Sequence, residues 1–226
     1  MADFTQASSS NSSDVEAILD AQQWNNRYET ENTGWDFGQP SPVLTAFLPE
    51  YLKTNNLDGR SLKAALIGCG RGHDARFVAS LGIETIGFDF APLAIADARQ
   101  LATQAGLTEG QLRFEEMDIF VITPEWRGQF DLVIEHTCFC AINPERRPDY
   151  VESVRSLLKP DGQLIGIFYT HNRPGGPPFS TTEAEVLGLF TSQFQRESWE
   201  LSKHSIGRRE NEEYVGVFRA IALAPS

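Results

Sequence analysis

The apolar run Ala64-Ala65-Leu66-Ile67 ends in Gly68-Cys69-Gly70-Arg71-Gly72 and passes into a helix-compatible segment at Asp74. A second apolar run, Thr85-Ile86-Gly87-Phe88, ends in Asp89, about twenty residues beyond the glycines. Glycines let a chain turn sharply from strand into helix and let a ligand lie close against the backbone. A carboxylate at the tip of the neighbouring strand can accept hydrogen bonds from both hydroxyls of a ribose. Together the two features constrain this stretch to a parallel α/β unit with a nucleoside-binding crevice at the carboxyl edge of its strands.

Apolar runs and helical patterns alternate through the rest of the chain. Strands are expected at Lys63–Ile67, Glu84–Phe88, Leu112–Glu116, Phe130–Glu135, Gln163–Tyr169 and Tyr214–Leu223, with a weaker one around Gln195–Leu201. Helices are expected from Asp14 to about Tyr28, from Ser41-Pro42 through Leu48, and at Asp74–Leu81, Pro92–Ala105, Arg147–Leu158 and Thr182–Thr191. Lys159-Pro160-Asp161-Gly162 reads as a turn. The expected fold is a Rossmann-like, seven-stranded, mostly parallel sheet with helices on both faces. A short final connection makes the C-terminal strand antiparallel, and an N-terminal helical lid precedes the sheet. Met1 to Ser13, rich in Ser, Asn and Thr, reads as a disordered tail, followed by one domain at 14–226 with its lid at 14–58 and its α/β core at 59–226.

A chain of 226 residues, 41% hydrophobic, suffices for one sizeable core. No basic-then-apolar leader and no membrane-length apolar run is seen, so a cytoplasmic protein without a membrane partner is expected. The formal net charge of -12 disfavours a nucleic-acid partner, whose phosphates demand a positive footprint. Cys69, Cys138 and Cys140 are too few for a disulfide scaffold and sit in strand-end contexts that suit small buried residues. No metal cluster is expected. A small molecule is the expected substrate, and a monomer is compatible with the sequence.

Three observations select S-adenosylmethionine over a dinucleotide. The loop reads Gly-Cys-Gly-Arg-Gly, not the G-x-G-x-x-G through which a pyrophosphate reaches a helix N-terminus. Met117-Asp118-Ile119-Phe120 follows the third strand, where Asp118 can accept an adenine amine and Ile119 can offer its backbone N–H to the ring. The strand ending at Glu135 closes beside the crevice, where a methionyl tail would lie.

The chain resembles class I S-adenosylmethionine-dependent methyltransferases, and more narrowly the thiopurine S-methyltransferase superfamily in its halide, thiocyanate and thiol methyltransferase branch. The resemblance rests on Trp24-x-x-x-Tyr28, Gly34-Trp35-Asp36-x-Gly38-x-Pro40-x-Pro42, the glycine loop through Asp74, Phe139-Cys140-Ala141-Ile142-x-Pro144-Glu145-x-Arg147-Pro148 and Gly175-Gly176-Pro177-Pro178-Phe179. It implies that Trp24, Tyr28 and Trp35 form a lid over the cofactor. It also implies that Gly68, Asp89, Asp118, Ile119 and His136 contact the cofactor; the glycine loop itself adds Gly70 and Gly72 as expected cofactor residues, and the strand end beside the crevice adds Glu135. Members of this branch often carry Trp at the position of Tyr28 and Tyr at that of His136.

The implied reaction is in-line transfer of a methyl group to a small anionic nucleophile: a halide, bisulfide, thiocyanate or small thiol. Such anions need no general base, and His136 is the candidate base where a neutral thiol must lose a proton. Methylation of larger or aromatic thiols and cofactor binding without turnover are the alternatives. Arg208 and Arg209, with Glu210, Glu212 and Glu213, read as a solvated loop, although an arginine near here can face the acceptor in the wider superfamily.

Overall fold

A computed structural model describes residues 20–221. The tail at 1–13, the start of the first expected helix and the end of the last expected strand lie outside the described residues. Seven strands form one sheet in the order β3-β2-β1-β4-β5-β7-β6. They span Lys63–Ile67, Glu84–Asp89, Leu112–Glu116, Phe130–His136, Leu158–Tyr169, Phe194–Leu201 and Glu213–Ala220, as β1 to β7 in chain order. The first five run parallel, and β7 runs antiparallel to both β5 and β6. The helices are α1 (Ala21–Glu29), α2 (Pro42–Thr54), α3 (His73–Ser80), α4 (Pro92–Gln104), α5 (Arg147–Leu157) and α6 (Glu183–Phe190).

Strand periodicity divides the core in two. Ala64 and Leu66 of β1 pack with residues of α2, α3 and α4, whereas Ala65 and Ile67 pack on the opposite face with residues of α5 and α6. The second face is aromatic: Phe139, Phe168, Phe190 and Phe218 are almost fully buried and meet edge to face, tilted or stacked. Burial of one such side chain contributes roughly 1.5–3 kcal/mol. Helix starts follow their local chemistry. Ser41 Oγ accepts from the Leu44 N–H, with Pro42 in the first turn of α2. Asp20 forms a reciprocal capping box with Gln23 at the start of α1.

The Lys159–Gly162 segment differs from expectation. It lies within β5, where the pairing with β4 jumps from Phe130↔Leu158 to Leu132↔Gln163. The Pro and Gly therefore make a bulge within a continuous strand rather than ending one.

Gly72 shows how little room the glycine loop leaves for a side chain. It caps α3 with φ at 68°, and a Cβ there would stand 2.5 Å from Cζ of Phe114 and 3.2 Å from Cβ of Ala98. Gly72→Ala meets both a left-handed backbone and a packed ring, so it should cost about 2 kcal/mol or more. Urea unfolding checks this, and an unchanged midpoint would refute the account.

Candidate functional site

The carboxyl ends of the parallel strands open onto a cavity of about 1000 Å³. Its floor comes from the segments that follow β1 to β5. Its roof is α1 with the strap leading into α2, and the β6–β7 loop closes the far end. This is the edge of an open α/β sheet where ligands bind, and its size lies at the top of the usual range for small-molecule pockets.

At the β1–β2 end, Asp89 ties the glycine loop to the start of α4. Its Oδ2 accepts from the Gly70 N–H at 2.8 Å and its Oδ1 from the Ala91 N–H at 3.0 Å. Burial raises its pKa against the pull of these backbone donors. A carboxylate has about four acceptor sites, so two bonds leave capacity for a diol in the cavity that Asp89 borders. The floor is open because Gly68, with φ at 58°, carries no side chain; a Cβ would lie 2.7 Å from Cys138 Sγ. Asp118 and Ile119 line the same end, and Asp118 Oδ1 accepts from the Phe120 N–H at 2.9 Å.

The roof is an aromatic cluster. Trp35 meets Trp24 edge-on at 5.1 Å and Tyr28 at 5.7 Å, and Tyr28 is buried against Ala91 and Ala94. The strap that carries Trp35 is fastened by charge. Arg71 Nη1 donates to Asp36 Oδ2 at 3.0 Å, His73 Nε2 lies 3.1 Å from Asp36 Oδ1, and Asp74 Oδ1 accepts from the Ser41 N–H at 2.6 Å. Burial works against the Asp36 charge, but His73, the Gly38 N–H and Arg71 outweigh it and hold the carboxyl well below its ordinary range.

The expected site residues therefore divide. Trp24, Tyr28, Trp35, Gly68, Asp89, Asp118, Ile119 and His136 all border the cavity. Gly70 lines a small adjoining space of about 80 Å³, and Gly72 packs on Phe114 as the cap of α3. Glu135 corrects the expectation for its side chain. It is fully buried on the other face of the sheet, where Oε2 accepts from the Phe139 N–H at 2.8 Å and from the Tyr150 hydroxyl at 2.9 Å. Successive strand residues point to opposite faces, so Glu135 and His136 cannot share one. Burial pushes the Glu135 carboxyl up to about 7, against the Phe139 and Tyr150 bonds.

His136 is also corrected as a base. Its Nδ1 is 2.7 Å from Asp74 Oδ2, and its Nε2 is 3.1 Å from Arg209 Nη1 and 3.8 Å from Glu213 Oε1. Burial lowers the pKa and Arg209 lowers it further, but Asp74 and Glu213 outweigh them and raise the ring to about 9. The Arg209 contact favours a lone pair on Nε2; two carboxylates against one guanidinium nevertheless favour the imidazolium, which can turn Nε2–H toward Glu213. A charged ring has no lone pair with which to take a proton from an acceptor.

Arg209 and Glu213, expected in a solvated loop, are 6% and 3% exposed. Arg209 Nη1 donates to Glu213 Oε1 at 3.3 Å and Nη2 donates to the Trp35 carbonyl at 3.2 Å, with the guanidinium over Phe37 at 4.6 Å. Arg173 and Arg208 join Arg209 at this end of the cavity, with Tyr169 and His171. Sequence reasoning singled out none of Arg27, Tyr169, His171 and Arg173. The β5–α6 loop, which carries His171 and Arg173, is held from outside by Arg147, which donates to the Ser180 carbonyl and the Thr181 hydroxyl, each at 3.0 Å. No group of side chains suited to a metal ion occurs among the described residues, and no described helix is long and apolar enough to cross a membrane.

Comparison with known proteins gives consistent matches. A family model described as thiopurine S-methyltransferase matches residues 19–221. Thiocyanate methyltransferase 1 of Arabidopsis thaliana is 34% identical, covering 88% of this chain and 84% of its own. Probable thiol methyltransferase 2 of the same plant is 31% identical, covering 85% and 82%. Thiopurine S-methyltransferase of Vibrio vulnificus is 25% identical, covering 88% and 98%. Among solved structures, 1,6-didemethyltoxoflavin-N1-methyltransferase of Burkholderia thailandensis, described with bound S-adenosylhomocysteine, superposes with a TM-score of 0.68 at 18% identity, over 89% of this chain and 87% of that one. That likeness establishes a shared Rossmann-like fold.

The raised His136 pKa fixes a sign for stability. An imidazole raised from 6.5 to about 9 stabilises the fold fully below pH 6.5, and that contribution is lost as pH rises through about 9. The wild-type melting temperature should therefore fall between pH 7 and pH 10 more steeply than that of His136→Gln. Parallel curves in scanning calorimetry would refute the assignment.

Proposed function

The chain belongs to the thiopurine S-methyltransferase family, and from that premise we propose that it methylates a small anionic nucleophile, a halide, bisulfide, thiocyanate or small thiolate. S-adenosylmethionine is the cofactor, and the residues fit it: the floor is open at Gly68 and Asp89 keeps spare acceptor capacity beneath an aromatic roof. We assign Asp89 to the ribose, Asp118 and Ile119 to the adenine, and Trp24, Tyr28 and Trp35 to the roof. The cofactor supplies an activated methyl group on a cationic sulfur.

The observation that carries the reading is the far end of the cavity. Arg173, Arg208 and Arg209 border it, and neither histidine there is placed as a base. Both ring nitrogens of His136 are engaged, Nδ1 by Asp74 and Nε2 by Arg209, and against burial Asp74 raises its pKa. His171 stays neutral through burial and the nearby Arg173, and its Nδ1 already accepts from the Arg173 N–H at 3.2 Å. Such an end suits an acceptor that arrives as an anion. Arg208, which has no carboxylate partner among the described residues, can draw it in, and the walls hold it in line while excluding the water that would stabilise the separated charges. Aromatic faces within about 6 Å of a cation favour the positive charge at the other end.

A larger acceptor is the second reading. Phe37, Tyr169 and Ile206 give the same end apolar surface, and about 1000 Å³ is ample room. Purified protein with cofactor should release volatile methyl products into headspace from iodide, bromide, bisulfide or thiocyanate. Absence of product from every anion would defeat the first reading, and faster turnover of an aryl thiol than of iodide would establish the second.

A further inference from the structure

Arg27 and Arg208 differ from the other basic groups around the cavity. Arg173 is held by Glu212 at 2.6 and 2.7 Å, Arg209 by Glu213 and His136 by Asp74. Among the described residues, Arg27 and Arg208 have no carboxylate partner, although the chain carries 31 acidic against 19 basic residues. A guanidinium left unpaired at a cavity wall in so acidic a protein points to an anion supplied by the ligand. Arg208 belongs to the β6–β7 loop, at the acceptor end.

Arg27 belongs to the cofactor end. It lies on α1, whose Asn25 Oδ1 accepts from the Leu93 N–H of α4 at 2.8 Å, and α4 begins just beyond Asp89. Its guanidinium stands 5.0 Å from the Trp24 ring centre and 5.7 Å from that of Trp35. Stacking on these rings orients the planar group while leaving its N–H edges free. The carboxylates that line the cavity, Asp89 and Asp118, suit hydroxyls and amines and would repel a third carboxylate.

We propose that Arg27 binds the carboxylate of the cofactor's methionyl tail, an inference that rests on the S-adenosylmethionine reading of this cavity. The competing role is a brace that only steadies the two tryptophans. The two are separated by calorimetric titration with S-adenosylhomocysteine and with 5′-deoxy-5′-(3-aminopropylthio)adenosine, which keeps the nucleoside, thioether and amine but lacks the carboxylate. Arg27→Ala should weaken S-adenosylhomocysteine by about tenfold or more, the scale of one charge-assisted hydrogen bond, and leave the analogue within about twofold. Arg27→Lys should recover part of the loss. Equal weakening of both ligands would overturn the proposal in favour of a brace. Unchanged S-adenosylhomocysteine affinity with a raised acceptor KM would overturn it in favour of an acceptor contact. Failure of the wild type to bind either ligand would overturn the cofactor reading itself.

Discussion

Asp74, His136, Arg209 and Glu213 meet where α3, β4 and the β6–β7 connection converge beneath the strap, and the cavity walls depend on their charges balancing. With the ring protonated their formal charges sum to zero, and their side chains are between 3% and 16% exposed. Removing one member of such a set leaves a buried charge uncompensated, a loss of about 3–5 kcal/mol. The same groups reach outward into the roof: Asp74 takes the Ser41 N–H and Arg209 takes the Trp35 carbonyl. The strap between α1 and α2 is therefore fastened to the core by charge, whereas α2 itself is held by apolar packing of Val43, Leu44, Leu48 and Leu52.

What the sequence disclosed was local. β1 and β2 are short apolar runs and β3 alternates apolar with charged residues; Gly68, Asp89 and Asp118 stand at or just beyond their ends, and a parallel sheet must bring such ends to one edge. What it concealed depended on distant encounters. Arg208-Arg209-Glu210 has the composition of a solvated loop, and Arg209 is buried against partners distant in sequence, His136 at 73 residues and the Trp35 carbonyl at 174. Glu135 and His136 look alike as strand-end polar residues, and only the pleat sends one into the core and the other to the cavity. Arg27 reads as an ordinary helix-surface cation until Trp35, from the next segment, places a ring beside it.

The charge distribution also bears on selectivity. An overall charge of -12 repels anions at long range, so arginines at the cavity end act on those already close. Cys138 and Cys140 border the same space, and burial pushes both thiols up, Cys140 to about 12. A thiolate there would compete with the acceptor for the methyl group. As protonated thiols they are poor nucleophiles, which leaves the wall inert under the proposed reaction.

The bond from Arg209 to the Trp35 carbonyl joins residues 174 positions apart. One wall of the cavity comes from the first helices described and another from the penultimate turn, with the whole sheet between them. Closing so long a loop is slow and entropically costly, and it occurs only after the intervening strands have paired. The crevice is therefore complete only once the segment carrying Arg209 has joined the strap, so its ligand binds a sheet already assembled. Such a ligand stabilises the closed wall after it has formed and does not help to form it.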